Sequence, residues 1–141
     1  MATITRFEDA ECWQSARELN RQIYRLTKAP TFRRDRALVD QIRRASISGM
    51  SNIAEGIFKR TNKELASSLG IARGSVGEVQ SQLYAALDEQ YITEAEFAAA
   101  YASAEITSKR IYSWLKYLEP LHEAVDHNPQ PRTTNHKRSF S

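Results

Sequence analysis

Leu65, Leu69, Ala72, Val76, Val79, Leu83 and Ala86 recur in alternating steps of four and three with no interruption. That spacing is the seam of a left-handed helical bundle, and it excludes a strand, whose side chains repeat every second residue. Thr61 and Glu64 precede it with the spacing of a capping box, which fixes where the helix starts. A helix running from there to about Ala86 is on the order of 40 Å long. It needs partners of similar length.

The remaining sequence supplies them. Trp13, Ala16, Leu19, Ile23 and Leu26 form an apolar stripe that predicts a first helix over about 8–28, capped by Thr5 and Glu8 and ended by Ala29-Pro30. Leu38, Ile42, Ala45, Gly49, Ile53 and Ile57 share one face of a second helix that opens at Thr31 or Phe32 and runs to about Lys59. Thr93 and Glu96 cap a fourth, carrying Phe97, Tyr101, Ala104, Ile111, Trp114 or Leu115, and Leu118. Pro120 is expected to end or kink it, with Leu121 and Val125 available for two further turns. Short connections make consecutive helices antiparallel neighbours. The expected fold is all-α, an antiparallel up-down-up-down four-helix bundle over residues 1–119. Residues 120–141 are expected to be a flexible basic tail, disordered because its polar, proline-bearing end cannot offset its chain entropy.

Composition narrows the functional classes. With 141 residues the chain holds one domain. No apolar run reaches the roughly 20 residues that span a bilayer, and the N-terminal stretch lacks the apolar segment of a secretory signal. The single cysteine, Cys12, rules out an internal disulfide and points to the cytoplasm. The three histidines, His122, His127 and His136, all follow the bundle. No Glu-x-x-His pair offers a di-metal site, and Ser46, Ser48 and Ser51 have no bundle histidine to activate them. Gly70-x-x-x-Gly74-x-x-Gly77 falls mid-helix and is not a phosphate loop. The expectation is a protein without catalytic residues, metal or cofactor.

The two central helices carry more than a core face. Lys63, Ser67, Gly70, Gly74, Gly77 and Ser81 lie roughly opposite the leucine and valine seam. Each interior glycine costs about 1 kcal/mol relative to alanine, so close approach of another backbone is the expected compensation. On the second helix Ile47, Ala54 and Phe58 lie opposite the core, with Arg44 and Ser51 between them. Such faces suit self-association, and rotational symmetry is the usual way to bury them. Asn52, Glu55 and Glu78 are expected as structural polar residues, the carboxylates pairing with Arg44, Arg43 or Asn52.

Charge is segregated along the chain. Residues 1–73 hold 14 Lys and Arg against 8 Asp and Glu, whereas residues 74–119 hold 3 against 7. Arg33, Arg34, Arg36, Arg43, Lys59, Arg60 and Lys63 are the candidate nucleic-acid contacts, in two clusters expected at opposite ends of the bundle. A ring of subunits would repeat each into a basic rim.

Gln41-x-x-Arg44-Ala45, the run Asn52-Ile53-Ala54-Glu55-Gly56, and Ile71-Ala72-x-Gly74-Ser75-x-x-Glu78 resemble the four-helix bundle proteins of the 23S ribosomal-RNA intervening-sequence family. Phe7-Glu8-Asp9 and Trp13 look like the start of that family, and the likeness covers about residues 7–118. Two departures stand out. Met50 occupies the region where the family often has a proline, and Gly56-Ile57-Phe58-Lys59 stands where it often reads G-x-G-R. The resemblance implies a bacterial, ring-forming bundle, commonly a pentamer, with no catalytic residues. Related bundles serve as accessory proteins of diversity-generating retroelements, where they bind a reverse transcriptase and nucleic acid. The sequence thus carries two functional expectations: a homo-oligomer that binds structured RNA or other nucleic acid, and a scaffold for a protein partner.

Overall fold

A computed structural model describes the backbone of residues 4–125 and the side chains of residues 4–120. The described residues form helices and turns without a strand. A 3-10 turn, Phe7–Asp9, leads into α1 (Glu11–Thr27). The short α2 (Pro30–Arg33) precedes three long helices, α3 (Arg36–Ile57), α4 (Asn62–Asp88) and α5 (Glu94–Val125). The four long helices close a circuit of contacts, α1 and α4 each packing against both α3 and α5.

The expected stripes form the core between them. Ala16, Leu19 and Ile23 of α1 and Ile42, Ala45 and Ile53 of α3 are buried with Leu69, Ala72, Val76, Val79, Leu83 and Ala86 of α4 and Ala104, Ile111, Trp114, Leu115 and Leu118 of α5. Trp114 and Leu115 both enter the core rather than one of them. Leu38, Ile57 and Leu65, at the helix ends, are half-buried against it. Among the described residues no helix is long and apolar enough to cross a membrane.

Cross-helix hydrogen bonds fix how the helices meet. Arg43 Nε donates to Thr27 Oγ1 (2.8 Å) and Ser46 Oγ to Asn20 Oδ1 (2.7 Å) between α3 and α1. Ser48 and Ser75 share a 2.8 Å bond between α3 and α4. Arg73 Nε reaches Ser108 Oγ (3.2 Å) between α4 and α5, and Gln22 Nε2 reaches Ser103 Oγ (2.9 Å) between α1 and α5.

Helix starts depart from expectation in two places. Thr5 and Glu8 do not cap α1, which starts three residues later with Ala10 at its N-cap and no side-chain capping bond. Phe7 sits edge-on to Trp13 with centroids 5.0 Å apart, and Gln14 Nε2 donates to the Glu8 carbonyl (2.8 Å), so a tighter turn displaces the box. The second predicted helix is broken at Arg34-Asp35. Asp35 Oδ1 accepts from the Leu38 amide (3.1 Å) and caps α3, while Oδ2 accepts from the Tyr91 hydroxyl (2.9 Å) beyond the end of α4. The other two helix starts hold. Thr93 and Glu96 exchange both bonds of the box, at 2.9 and 3.1 Å, while Thr61 Oγ1 accepts from the Glu64 amide (3.1 Å) and donates to Glu64 Oε1 (3.0 Å).

α5 continues across Pro120 to Val125, so the helix does not end at the proline. The ring removes a ladder donor only five residues from the end of the helix, where little depends on it. Residues 126–141, the greater part of the expected tail, lie outside the described residues.

Two kinds of glycine are distinguishable in α3 and α4. A Cβ at Gly56 would lie 2.9 Å from Ser68 Cβ and 3.0 Å from Leu65 Cδ1, whereas one at Gly70, Gly74 or Gly77 would meet nothing within 4 Å. Gly56→Ala is therefore expected to destabilise the protein by about 1–3 kcal/mol through overpacking. Gly77→Ala should leave the isolated chain as stable or up to about 1 kcal/mol more stable through helix propensity. Thermal unfolding of the two variants, followed by circular dichroism, checks the contrast.

Candidate functional site

The seam between α3 and α4 buries one half of each motif and leaves the other half open. On the buried side, Asn52 Nδ2 donates to the Ser48 carbonyl (2.9 Å) and lies 3.1 Å from its hydroxyl, and Ser48 in turn bonds Ser75. Asn52 thus completes a serine chain across the helix pair. The open side is a groove of about 270 Å³ lined by Gln41, Arg44, Ala45 and Ser48 of α3 and Ser75, Glu78 and Gln82 of α4.

The groove holds both signs of charge without neutralising them. Neither Arg44 nor Glu78 forms an ion pair or side-chain hydrogen bond among the described residues. The expected pairing of Glu55 and Glu78 with Arg44, Arg43 or Asn52 is not made. Glu55 instead accepts from Lys59 one turn later, at 3.3 Å, because both lie on the solvent side of α3. Gln82 Oε1 is enclosed and has no donor. A buried acceptor left unpaired costs about 1–3 kcal/mol, which a second molecule could offset.

Flanking the groove, the outer faces of α3 and α4 are exposed as the sequence pattern predicts. Ser51, Gly74 and Gly77 are exposed and Gly70 half-buried. Ile47 retains 42% and Ile71 55% of its accessible surface. Ile71, which lies off the leucine and valine seam, joins this surface. Phe58 belongs elsewhere, at the α3 C-cap, its ring 6.2 Å from that of Phe7.

The candidate basic residues fall into three situations. Arg43 is taken up inside the chain, held by Thr27 and lying 4.4 Å over the Tyr24 ring, so it is not a free surface cation. Lys59, Arg60 and Lys63 surround the α3–α4 turn, all exposed. Arg33, Arg34 and Arg36 are exposed at the other end of α3, about 33 Å away along a helix of 22 residues.

Arg25 and Lys28, in the last turn and at the C-cap of α1, extend that second cluster, because α1 packs against α3 and the connection between them is short. All five are exposed and none has a carboxylate within ion-pair distance among the described residues. Asp35, the acid in this stretch, has both oxygens committed. Arg25 and Lys28 escape a sequence reading because they end the first helix. The signal lay in the sequence as five cations within twelve residues.

A family model described as 23S rRNA-intervening sequence protein matches residues 8–113. The chain belongs to that family. The match spans α1, α3 and α4 and most of α5, and it includes every residue lining the groove. No curated protein matches the chain. In this family member, no group of three His, Cys, Asp or Glu side chains that could hold a metal occurs among the described residues.

Cys12, at the start of α1, is buried, and burial pushes its thiol up to about 12. At pH 8 it is almost wholly protonated. Iodoacetamide should leave the folded protein unmodified over hours and alkylate it fully in denaturant. Rapid alkylation of native protein, read by mass spectrometry, would contradict this burial.

Proposed function

We propose that this protein is a non-catalytic, ring-forming homo-oligomer of antiparallel four-helix bundles, acting in the cytoplasm, that binds structured RNA or other nucleic acid through its basic corner. The observation that carries the binding is the unneutralised set Arg25, Lys28, Arg33, Arg34 and Arg36. Phosphates are the natural counter-charge for five arginines and lysines presented together, and each contact formed releases a bound counterion. The up-down-up-down order is supported by the cross-helix pairs. Between each two contacting helices, residue numbers rise on one as they fall on the other, as in Ser48 with Ser75 and Asp35 with Tyr91.

Assembly is supported by the α3–α4 outer face. It combines three glycines that meet nothing within the chain, two exposed isoleucines, and a groove with unpaired Arg44, Glu78 and Gln82 Oε1. A monomer bears the cost of each and gains nothing from it. A second copy lying along this face would use the glycines for close approach and supply partners for the groove. The pentamer that the family resemblance implies would place five basic corners on one particle.

A second reading, a scaffold for a protein partner such as a reverse transcriptase, is favoured by the α4–α5 side. There Tyr84, half-exposed, lies tilted against Phe97 (4.8 Å between centroids) and edge-on to Tyr101 (5.8 Å) in the acidic part of the chain. Aromatic surfaces of this kind suit protein contacts.

Fluorescence anisotropy with a labelled stem-loop RNA separates the readings. Binding should weaken steeply as salt rises from about 50 to about 200 mM. Arg33→Glu combined with Arg34→Glu should lower affinity at least tenfold at about 50 mM and flatten the salt dependence. Wild-type binding no tighter than micromolar and indifferent to the double substitution would exclude the nucleic-acid reading and leave the scaffold.

A further inference from the structure

Among the described residues Phe58 is the most exposed large apolar side chain, retaining 75% of its accessible surface at the α3 C-cap. Its ring lies tilted beside that of Phe7, centroids 6.2 Å apart, and Phe7 in turn sits edge-on to Trp13, which Arg17 covers at 5.8 Å. The ring is thus supported from behind while remaining open to solvent.

Its surroundings are charged, and the charges are unevenly matched. Lys59 is paired with Glu55 at 3.3 Å and Arg6 with Glu8 at 3.7 Å. Glu64 is engaged by the cap of α4, its Oε1 accepting from Thr61 Oγ1 at 3.0 Å. Arg60, in the α3–α4 turn, and Lys63, in the first turn of α4, are both exposed and have no carboxylate partner among the described residues. An apolar side chain of a protein partner docking here would strip water from two unpaired cations. An unpaired nucleotide brings a flat ring for Phe58 and phosphates for the cations.

We propose that Phe58 is a stacking platform for an unpaired base of single-stranded nucleic acid, with Arg60 and Lys63 holding the adjoining phosphates. This rests on the nucleic-acid reading above, but uses the end of α3 remote from the Arg25–Arg36 corner. A duplex, whose bases are already stacked, can bind the corner without using Phe58. Stacking uses the face of the base and not the 2′-hydroxyl, so RNA and DNA strands of one sequence should depend on Phe58 alike.

The test compares a single-stranded oligoribonucleotide containing 2-aminopurine, its deoxy counterpart, and a blunt duplex, each with wild type, Phe58→Ala and Phe58→Trp. Wild type should quench the 2-aminopurine. Phe58→Ala should lose roughly fivefold to a hundredfold in single-strand affinity while binding the duplex as wild type does, and Phe58→Trp should restore single-strand binding. Single-strand affinity and quenching unchanged by Phe58→Ala, with the duplex still bound, would overturn the platform alone. Failure of wild type to bind either form would overturn both readings. A loss of oligomer mass in Phe58→Ala, seen by light scattering, would make Phe58 a subunit contact and likewise overturn the platform.

Discussion

Close approach of α3 and α4 is the constraint on which the other features depend. It is set by Gly56, where any side chain would collide with Ser68 and Leu65, and by Gly49, whose added Cβ would already touch Val76 at 3.4 Å. At that separation Ser48, Ser75 and Asn52 bond one another across and along the seam, and Ile53 and Val76 are enclosed. The groove lined by Arg44 and Glu78 runs along the same helix pair. Core and surface roles are thus assigned within single motifs. In NIAEG, Asn52, Ile53 and Gly56 serve the seam, while Glu55 faces solvent.

Most of the fold is legible in the sequence because it rests on periodicity. The α4 seam needs only the spacing of Leu69, Ala72, Val76, Val79 and Leu83, and the boxes at Thr61 and Thr93 need only residues three apart. What escapes is decided by contacts distant along the chain. Asp35 reads as an ordinary surface residue of one continuous helix, and becomes a helix cap because Tyr91, 56 residues later, fixes its other oxygen. Thr5 and Glu8 have the right spacing, yet the Phe7 and Trp13 rings favour a tighter turn. Glu78 carries the right charge for Arg44, but whether two residues on adjacent helices meet depends on the rotation of each helix, which neither sequence contains.

The candidate sites divide in the same way. The glycine face on α4 follows from spacing and is exposed as expected. The basic corner was only half visible, because its membership depends on how sharply the chain turns between Thr27 and Arg36. Arg43, grouped with the surface arginines by its neighbours in sequence, is instead drawn over Tyr24. On the proposed reading, segregated charge would connect assembly to binding. Each corner alone would offer a weak, salt-sensitive site, and a ring presenting several at fixed spacing would gain by effective concentration without any new contact.

The central claim is that the outer face of α3 and α4 exists for another copy of the chain. Light scattering of purified wild type and Gly74→Leu at micromolar concentration tests it most directly. Wild type should scatter as several chains of 16.1 kDa, about 80 kDa for five. Gly74→Leu, which blocks close approach without breaking a helix, should scatter as one chain with its helical circular dichroism unchanged. A monomeric wild type would contradict the account, as would a Gly74→Leu variant that assembles as wild type does.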